Sequence, residues 1–203
     1  MPTSQAGLVR LIQRQHLADE RIVDAFRAVD RAAFVPRDSR DSAYLDRPVA
    51  IPGGQTTSQP SLIARMIDAA RVGPADRVLE VGAGYGFQTA LLATLAEEVV
   101  SVELDRSLAE RTARNVAEAG LEGVTVVTGD GYAGVPEHAP YDAVIFSATA
   151  PEVPDALAAQ LAEGGRLVIP LGDEVTLFER GGGDLRRVEM ITPARFVPLV
   201  PRR

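Results

Sequence analysis

The stretch VLEVGAGYGFQTA, residues 78–90 of this 203-residue chain, predicts a strand and a helix that are joined through a turn of glycines. The apolar run at its start predicts a strand, and the residues from Phe87 onward have the apolar spacing of a helix. Gly82, Gly84 and Gly86 let the backbone turn sharply and approach a ligand with no Cβ between them. A dinucleotide site would favour glycine at position 87, where phenylalanine stands. The motif indicates a nucleotide-type site on a Gly-x-Gly-x-Gly turn.

Acidic residues accompany this motif and the two predicted strands that follow it. Glu80 precedes the first glycine, and Glu103 ends the next strand about 20 residues after Gly82, where a carboxylate can accept hydrogen bonds from ribose hydroxyls. Asp130 and Gly131 close the third strand, where a carboxylate can bind an adenine amino group and a glycine leaves room for the ring. Taken singly, the glycines could serve packing and Glu103 could cap a helix. Together they predict a site for S-adenosylmethionine, whose cationic methionine end needs no pyrophosphate cradle.

The rest of the chain alternates strand and helix patterns up to residue 172 and then changes to strands alone. Alternation of this kind implies right-handed βαβ units and a mostly parallel sheet covered on both faces. The segments concerned are the strands VVSVE, VTVVTGDG, DAVIFSA and RLVIPLG, the helices SLAERTARNVAEAG and VPDALAAQLAEGG, the hairpin EVTLFER-GGGD-LRRVEMIT, and a last strand RFVPLV. We predict an α/β class I S-adenosylmethionine-dependent methyltransferase: a Rossmann-like, mostly parallel sheet flanked by helices, with an antiparallel C-terminal hairpin.

The region before residue 77 is less regular. Residues 7–29 have the apolar spacing of one or two amphipathic helices, and residues 31–48 are rich in turn formers. A polar, glycine-rich loop then runs into a further apolar helix pattern within IPGGQTTSQPSLIARM, residues 51–66. We predict a single domain over residues 1–203, in which residues 1–60 form a helical and loop region covering the active site and residues 61–203 form the Rossmann-like core.

Composition excludes several classes of protein. The chain is 46% hydrophobic and 24% charged, which suits one domain with a substantial core. Its formal net charge of −7 argues against a protein whose main function is to bind the phosphates of nucleic acid. It contains no cysteine, and neither His16 nor His138 has metal-ligand spacing, so we expect no metal. The beginning of the sequence lacks an apolar leader segment, and no run of eighteen apolar residues occurs. We expect a cytoplasmic protein with no membrane partner.

At this point the residues resemble a specific family, the protein-L-isoaspartate O-methyltransferases. The resemblance begins in FVPRDSRDSAYLDRPVAIPGGQTTSQPSLIARM, residues 34–66, of which GQT-x-SQP is the most distinctive part, and it covers roughly residues 20–200. It continues through the glycine motif, GDGYAG, YDAVIFSATAPEVPDALAAQLAEGGRLVIPLG and RFVPLV. General methyltransferases share the glycines, but few share the Thr-x-Ser loop in front of them.

The resemblance implies a repair reaction on aged proteins. When asparagine deamidates or aspartate isomerises, the backbone is rerouted through the β-carboxyl and an α-carboxylate is left free. That oxygen would take the methyl group, and the ester would cyclise to a succinimide that hydrolyses partly to normal aspartate. A carboxylate is already deprotonated at pH 7, so transfer needs positioning and exclusion of water rather than a strong base.

The resemblance also implies roles for particular residues. Ser58 falls on the family's active-site serine and Thr56 on the threonine two positions before it; both hydroxyls could donate toward the substrate carboxylate or the methionine end of the cofactor. An alternative interpretation is that Ser58 caps the helix that starts at Pro60. The strand RFVPLV could hold the substrate backbone or simply close the sheet. The cofactor residues implied by the resemblance are Gln55, Thr57, Glu80, Gly82, Gly84, Glu103, Asp130 and Gly131.

Several positions depart from the common pattern of the family. Thr57 replaces the usual isoleucine, and Pro52 stands where glycine is common. Tyr85 and Phe87 stand where serine and tyrosine are typical. Threonine is β-branched, like the isoleucine that it replaces, so the loop should keep its conformation. The phenol of Tyr85 is the larger change, because it could narrow the cofactor pocket or stack over it.

Two further functions are compatible with the sequence. A relative could methylate an ordinary aspartate in one dedicated peptide, although such an enzyme would be expected to carry extra recognition segments. A non-catalytic domain could retain the cofactor for regulation, although the intact Thr56-x-Ser58 loop argues against it. A nucleic-acid methyltransferase would be expected to carry an Asn/Asp-Pro-Pro-Tyr type motif where SATAP stands. We therefore expect a monomer that acts on isoaspartyl proteins and peptides.

Overall fold

The computed structural model describes residues 2–200, so Met1 and residues 201–203 of the predicted domain lie outside the described residues. The helices are α1 (Gln5–Gln13), α2 (Arg21–Ala28), α3 (Pro60–Ala70), α4 (Phe87–Ala93), α5 (Arg106–Glu118) and α6 (Asp155–Gln160). The strands are β1 (Val49–Ile51), β2 (Gln55–Thr57), β3 (Arg77–Val81), β4 (Glu98–Glu103), β5 (Val124–Thr128), β6 (Tyr141–Phe146), β7 (Leu161–Leu171), β8 (Glu174–Gly181) and β9 (Asp184–Pro193). Among the helices of residues 2–200, none is long and apolar enough to cross a bilayer.

The main sheet contains seven strands in the described part of the chain, in the order β5-β4-β3-β6-β7-β8-β9. Strands β3 to β7 pair in parallel, whereas β8 and β9 are antiparallel additions at one edge. The chain runs outward from β3 to β5 and then crosses to β6 on the other side of β3, so the order reverses there. Open α/β sheets bind ligands beyond the carboxyl ends of their strands at such a reversal. The predicted sheet and C-terminal hairpin are confirmed.

Two apolar clusters cover the opposite faces of this sheet. Val78 packs in the cluster that contains α1 to α4, while its neighbour Leu79 packs with Leu157 of α6 in the other. Successive side chains of a strand point to opposite faces, and burial of both faces explains why these strands read as unbroken apolar runs.

The region before the sheet folds as short helices and turns. The predicted helical segment 7–29 forms two helices, α1 and α2, that pack against each other and on α3. The irregular connection contains two 3-10 turns, Arg31–Phe34 and Arg37–Ser42. Strands β1 and β2 then form a small antiparallel hairpin that leads into α3. The hairpin places the predicted Thr56-x-Ser58 loop immediately before that helix.

The predicted boundary of the last helix is wrong. We expected the helix in VPDALAAQLAEGG to run as far as its closing glycines and the next strand to begin with RLVIPLG, but α6 ends at Gln160 and β7 begins at the next residue. The Arg180 guanidinium donates to the carbonyl oxygens of Ala158, Ala159 and Leu161 at 3.2, 3.1 and 2.6 Å. These bonds from β8 satisfy carbonyls at the end of α6, and so the tertiary contact replaces a further helical turn.

The predicted final strand RFVPLV is also wrong. Residues 195–200 join no strand of the sheet and make an isolated parallel bridge between Pro198 and Thr149. The Thr149 N–H donates to the Val197 carbonyl, and the Leu199 N–H donates to the Thr149 carbonyl, both at 2.8 Å. A parallel ladder would continue with a donor from residue 151 to the Leu199 carbonyl, but that residue is Pro151, which has no N–H.

Candidate active site

A cleft, here called the sheet cleft, opens at the carboxyl ends of β3, β4 and β6. It encloses about 860 Å³ of space, part of which is open to solvent. All the predicted site residues except Asp130 line it. They are Gln55, Thr56, Thr57, Ser58, Glu80, Gly82, Gly84, Glu103 and Gly131. The fold thus brings together residues that are far apart in the sequence.

The glycine turn, residues 82–86, forms the floor of the sheet cleft. Its three glycines have φ values of 92°, 58° and 86°, a conformation that residues with a side chain adopt only at a cost. A Cβ at Gly86 would lie 3.0 Å from the Cγ2 atom of Thr112 in α5. The Thr112 hydroxyl donates to the Gly84 carbonyl at 2.9 Å. Glycine is therefore required here both for backbone conformation and for the close approach of α5.

Tyr85 is the one bulky residue of the glycine turn, and it lines the sheet cleft. The side-chain amide of Asn115 donates to its carbonyl at 2.9 Å, and the Arg111 guanidinium lies 5.9 Å from the centre of its ring. Both partners belong to α5. The phenol is therefore held against that helix by a cation–π contact at the wall of the cleft.

Glu80 is fully buried beneath the glycine turn. Its carboxylate accepts hydrogen bonds from the Gln88 amide at 3.1 Å, from the Thr89 hydroxyl and from the Ser101 hydroxyl. Burial raises the pKa of Glu80 to about 7, although hydrogen bonds from Ser101, Thr89 and Gln88 act in the opposite direction. The carboxylate joins α4 to β3 and β4, and its predicted contact with a cofactor stays a prediction.

Glu103 ends β4 at the mouth of the sheet cleft and is partly exposed. One carboxylate oxygen accepts the Gly84 N–H at 2.9 Å, and the other accepts the Asp105 N–H at 3.1 Å. Each carboxylate oxygen has a further lone pair for a ligand. Glu103 thus fixes the glycine turn and keeps acceptor capacity where ribose hydroxyls were expected.

Asp130 and Gly131, which follow β5, have different positions. A carboxylate oxygen of Asp130 accepts the Tyr132 N–H at 2.9 Å, and Asp130 is not among the described residues that line the cleft. Gly131 does line it, and a Cβ there would lie only 2.6 Å from the Cγ1 atom of Val81. The predicted need for glycine at position 131 therefore has a steric reason.

The opposite wall is the hydroxyl loop, residues 55–59, which is held by the fully buried Arg31. The Arg31 guanidinium donates to the Thr57 hydroxyl at 2.9 Å, to the Ser58 carbonyl at 3.0 Å, and to three carbonyls of the connection before β1. It also lies 5.5 Å from the ring centre of Phe87. Desolvation lowers the pKa of Arg31 to about 10, so the group stays charged at neutral pH. The Thr57 hydroxyl accordingly has a structural partner.

The interpretation of Ser58 as a helix cap is wrong. The N-cap residue of α3 is Gln59, which makes no capping hydrogen bond with its side chain. Asp46 serves the helix start instead: its carboxylate accepts the Ser61 N–H at 2.9 Å, the Ser61 hydroxyl at 2.8 Å and the Gln59 amide at 3.0 Å. Ser58 therefore does not cap α3, and it lines the sheet cleft.

A second cleft, here called the loop cleft, encloses about 920 Å³ between the start of α3 and residues 192–197. It shares four lining residues with the sheet cleft: Thr56, Ser58, Ser147 and Val197. Two of these are the hydroxyl residues predicted to be catalytic. The two clefts therefore meet at a wall rich in small hydroxyl groups.

Sequence reasoning missed Ser147 and Arg31. Ser147 follows β6, and the Gln88 amide nitrogen lies 3.1 Å from its hydroxyl oxygen. In the sequence, Ser147 could have been found from its position at the end of a predicted strand, as the first residue of SATAP. Arg31 was inconspicuous within a turn-rich segment, because nothing local shows that a guanidinium will be buried against a loop 26 residues further along.

The sheet cleft fits the predicted cofactor. The glycine turn and Gly131 leave backbone accessible where an adenosyl group needs close approach, and Glu103 offers acceptors suited to ribose. The side-chain oxygen of Gln88, a residue of the cleft wall, is buried with no hydrogen-bond partner in the described structure. A buried acceptor without a partner is costly unless a ligand supplies the donor, and the ammonium group of a methionine moiety is such a donor.

Comparison with known proteins places the chain among methyltransferases. A family model described as Protein-L-isoaspartate(D-aspartate) O-methyltransferase matches residues 3–203. The Protein-L-isoaspartate O-methyltransferase of Anaeromyxobacter dehalogenans (strain 2CP-1 / ATCC BAA-258) is 48% identical over 189 residues, covering 90% of each chain. A likeness of this extent shows common family membership.

Two solved structures share the fold. A protein-L-isoaspartate O-methyltransferase superimposes with a TM-score of 0.85 at 31% identity, covering 96% of this chain and 65% of that longer chain. A putative protein-L-isoaspartate O-methyltransferase from Plasmodium falciparum, in complex with S-adenosyl-L-homocysteine, gives a TM-score of 0.84 at 21% identity and covers 98% of this chain. The second likeness concerns the fold alone.

Proposed function

The chain belongs to the protein-L-isoaspartate(D-aspartate) O-methyltransferase family, and from this membership we propose that it methylates the free α-carboxylate of L-isoaspartyl residues in damaged proteins and peptides. S-adenosylmethionine supplies the electrophilic methyl group, and S-adenosylhomocysteine is the product. The methyl ester then starts repair through a succinimide. The alternatives, a peptide-tailoring aspartate methyltransferase and a non-catalytic cofactor-binding domain, become outcomes of the assay below.

The observation that carries this proposal is the wall shared by the two clefts. One cleft is built from the glycine turn and strand ends that suit a nucleoside, and the other opens beside an extended segment, residues 192–197, that suits a peptide. A methyl donor and an acceptor held in separate clefts can meet only where the clefts join. That place is lined by Thr56, Ser58, Ser147 and Val197.

We propose that Ser58 and Thr56 position the substrate carboxylate. A hydroxyl can donate one hydrogen bond to a carboxylate oxygen while the other oxygen stays free to react. No proton has to be removed, because the carboxylate is ionised at neutral pH. The chain's task is to hold the nucleophilic oxygen in line and to keep water out.

We propose that the cofactor residues divide into two groups. Gln55, Gly82, Gly84, Glu103 and Gly131 would contact the cofactor in the sheet cleft. Thr57, Glu80 and Asp130, whose polar groups have partners in the protein, would act mainly by holding the cleft in shape, while any direct contact of theirs with the cofactor stays a prediction.

The remaining proposals concern organisation and location. We propose a monomer in which residues 1–60 cover the active site and residues 61–203 form the core; Thr56 and Ser58 of the first region line both clefts, which supports the covering role. We propose that the enzyme acts in the cytoplasm and binds no nucleic acid. Cell fractionation and light scattering test the location and the monomeric state.

The decisive assay uses matched peptides that differ only in carrying isoaspartate, aspartate or asparagine at one position. The purified protein is incubated with each peptide and methyl-labelled S-adenosylmethionine. Label confined to the isoaspartyl peptide supports repair. Transfer to the aspartyl peptide would identify the tailoring activity, and S-adenosylhomocysteine binding without transfer to any peptide would identify a non-catalytic domain.

A further inference from the structure

The loop cleft has a charge opposite in sign to that of the whole chain. The charged residues among its described lining are Arg65 and Arg195, and no aspartate or glutamate belongs to that lining. The chain as a whole has a formal net charge of −7. The low-dielectric walls of a cleft focus the electric field of the charged groups that line it, so two arginines can dominate the local potential.

Arg65 has no acidic partner in the described part of the chain. Its guanidinium donates through Nε and Nη2 to the side-chain oxygen of Gln15 at 3.3 and 3.1 Å, and this partner is neutral. The remaining N–H groups of the guanidinium make no hydrogen bond with residues 2–200. Arg65 thus brings an uncompensated positive charge to the cleft wall.

Arg195 has an acidic neighbour, but the pair is weak. Its Nε atom lies 3.5 Å from a carboxylate oxygen of Asp173, and the two side chains are 87% and 71% exposed. Exposed pairs of this kind contribute little, and either partner exchanges readily. The other carboxylate close to the cleft, Asp46, is held by the donors at the start of α3. The cleft keeps a positive balance.

The position of Arg65 on α3 indicates which residue of a bound peptide would contact its guanidinium. Residue 65 lies one helical turn beyond Ser61, about 6 Å further along α3. Residues of an extended peptide are spaced about 3.3 Å apart, so a peptide whose isoaspartate lies beside Ser61, three residues after Ser58 of the shared wall, would bring a side chain about two residues away to Arg65.

We propose that Arg65 and Arg195 make this enzyme select isoaspartyl substrates that carry a second carboxylate about two residues from the damaged site. The inference rests on the proposed function, because it assigns the substrate peptide to the loop cleft. A guanidinium suits this task, since its planar fork binds a carboxylate through two parallel hydrogen bonds. The selected class would be acidic segments of aged proteins.

The test compares isoaspartyl peptides with glutamate, glutamine or lysine at the second position before or after the isoaspartate. For one of the two placements we expect kcat/KM to be about fivefold higher with glutamate than with glutamine, and lower again with lysine, as befits partly exposed ion pairs. The difference should shrink at high salt, where exposed charges are screened. Equal kcat/KM values for the three peptides in both placements would overturn the proposal.

Charge-reversal variants assign the effect to the cleft. Arg65→Glu and Arg195→Glu should each reduce or reverse the preference for glutamate over lysine. Arg114→Glu is the matched control, because Arg114 is exposed on α5, lines neither cleft and changes the net charge equally. An Arg114→Glu effect as large as that of Arg65→Glu would attribute the preference to net charge and contradict the proposal. Circular dichroism verifies that each variant is folded. If Arg65→Glu does not fold, Arg195→Glu still tests the proposal, because Arg195 lies in an exposed segment.

A binding measurement separates this proposal from the proposed function. Fluorescence anisotropy of the labelled peptides, in the presence of S-adenosylhomocysteine, should rank their Kd values in the order glutamate, glutamine, lysine. If none of the peptides is methylated, the proposed function fails, while the Kd ranking still decides whether the cleft selects acidic peptides. If all are methylated and bound equally, the function stands and the selection fails.

Discussion

The glycine turn and the hydroxyl loop face each other across the sheet cleft, yet they are held in place by different means. The glycine turn owes its backbone conformation to its own residues, since three closely spaced glycines adopt positive φ values directly after β3. Glu103, Thr112 and Asn115 then hold that turn in place. The hydroxyl loop takes its shape from distant groups, Arg31 and Asp46. The conformation of the glycine turn is thus set locally by the sequence, whereas the position of the hydroxyls proposed to be catalytic depends on tertiary contacts.

A buried contact at Phe87 joins the two regions. Phe87, the first residue of α4, packs edge-on against Phe26 and lies under the Arg31 guanidinium. Arg31 in turn holds Thr57 and the backbone of Ser58. A change at Arg31 should therefore disturb the hydroxyl loop strongly and the glycine turn weakly. The predictions below test this division in order of their expected effect on the free energy of unfolding.

The largest effect is expected for Arg31→Leu. Several buried carbonyls and the Thr57 hydroxyl would lose a charged donor, which should lower the free energy of unfolding by about 3 kcal/mol or more. Urea denaturation measures this loss. At a temperature where the variant is folded, methyl transfer should fall much further than S-adenosylhomocysteine binding. Exposed Arg37→Leu is the control and should stay within about 0.5 kcal/mol of the unaltered protein. Equal losses in the two variants would contradict the anchoring role of Arg31.

The second effect concerns pH and the buried carboxylate under the glycine turn. The pKa of Glu80 is about 7 in the folded protein, against 4.5 for an unperturbed glutamate. Between these values the folded state keeps a proton that the unfolded chain has lost. The free energy of unfolding should therefore fall as pH rises from 4.5 to 7, by roughly 3 kcal/mol, and level off above that range.

Glu80→Gln should remove this contribution to the pH dependence. Denaturation curves recorded at several pH values between about 5 and 8 would show a flatter profile for the variant than for the unaltered protein. Glu118→Gln, on the exposed face of α5, should leave the profile unchanged. A profile that is identical with and without Glu80 would show that another group is responsible.

A smaller effect is expected for alanine in the glycine turn. In Gly82→Ala an alanine must adopt a φ of 92°, and in Gly120→Ala an alanine must adopt a φ of 69° at the end of α5. Each replacement should lower the free energy of unfolding by about 1–2 kcal/mol. Only Gly82→Ala lies in the sheet cleft, and it should weaken S-adenosylhomocysteine binding on the order of tenfold, measured by calorimetry. Similar affinity in both variants would show that the turn does not shape the cofactor site.

The smallest effect on stability is expected for Ser58→Ala. Because Ser58 caps no helix, its loss should change the free energy of unfolding by less than about 0.5 kcal/mol. The kcat value should nevertheless fall by about tenfold to a hundredfold if the hydroxyl positions the carboxylate.

Ser4→Ala provides the opposite result as a control. Ser4 is a true N-cap whose hydroxyl accepts the Gly7 N–H at 3.2 Å, and it is absent from the described linings of both clefts. Its replacement should cost about 1 kcal/mol of stability and leave kcat unchanged. A Ser58→Ala variant that behaves like Ser4→Ala would reduce Ser58 to a structural residue.

The features that depend on short-range rules could be predicted from the sequence. The strand, the three glycines and the helix after them predict a cofactor turn, because glycine alone adopts positive φ freely. The alternation of strands and helices predicts a parallel sheet, and the ends of parallel strands meet at one edge, which brings Glu103 and Gly131 to the same cleft.

The roles that depend on distant partners could be assigned only from the folded structure. The sequence offered Ser58 as a cap for the helix at Pro60, but Asp46, fifteen residues before Ser61, satisfies that helix start. Thr57 proved to be bound by Arg31 across 26 residues, and residues 195–200 form an isolated bridge to Thr149 instead of a strand of the sheet. Local patterns constrain backbone conformation within a few residues, whereas a polar side chain's partner is fixed by which groups the folded core leaves within hydrogen-bond distance.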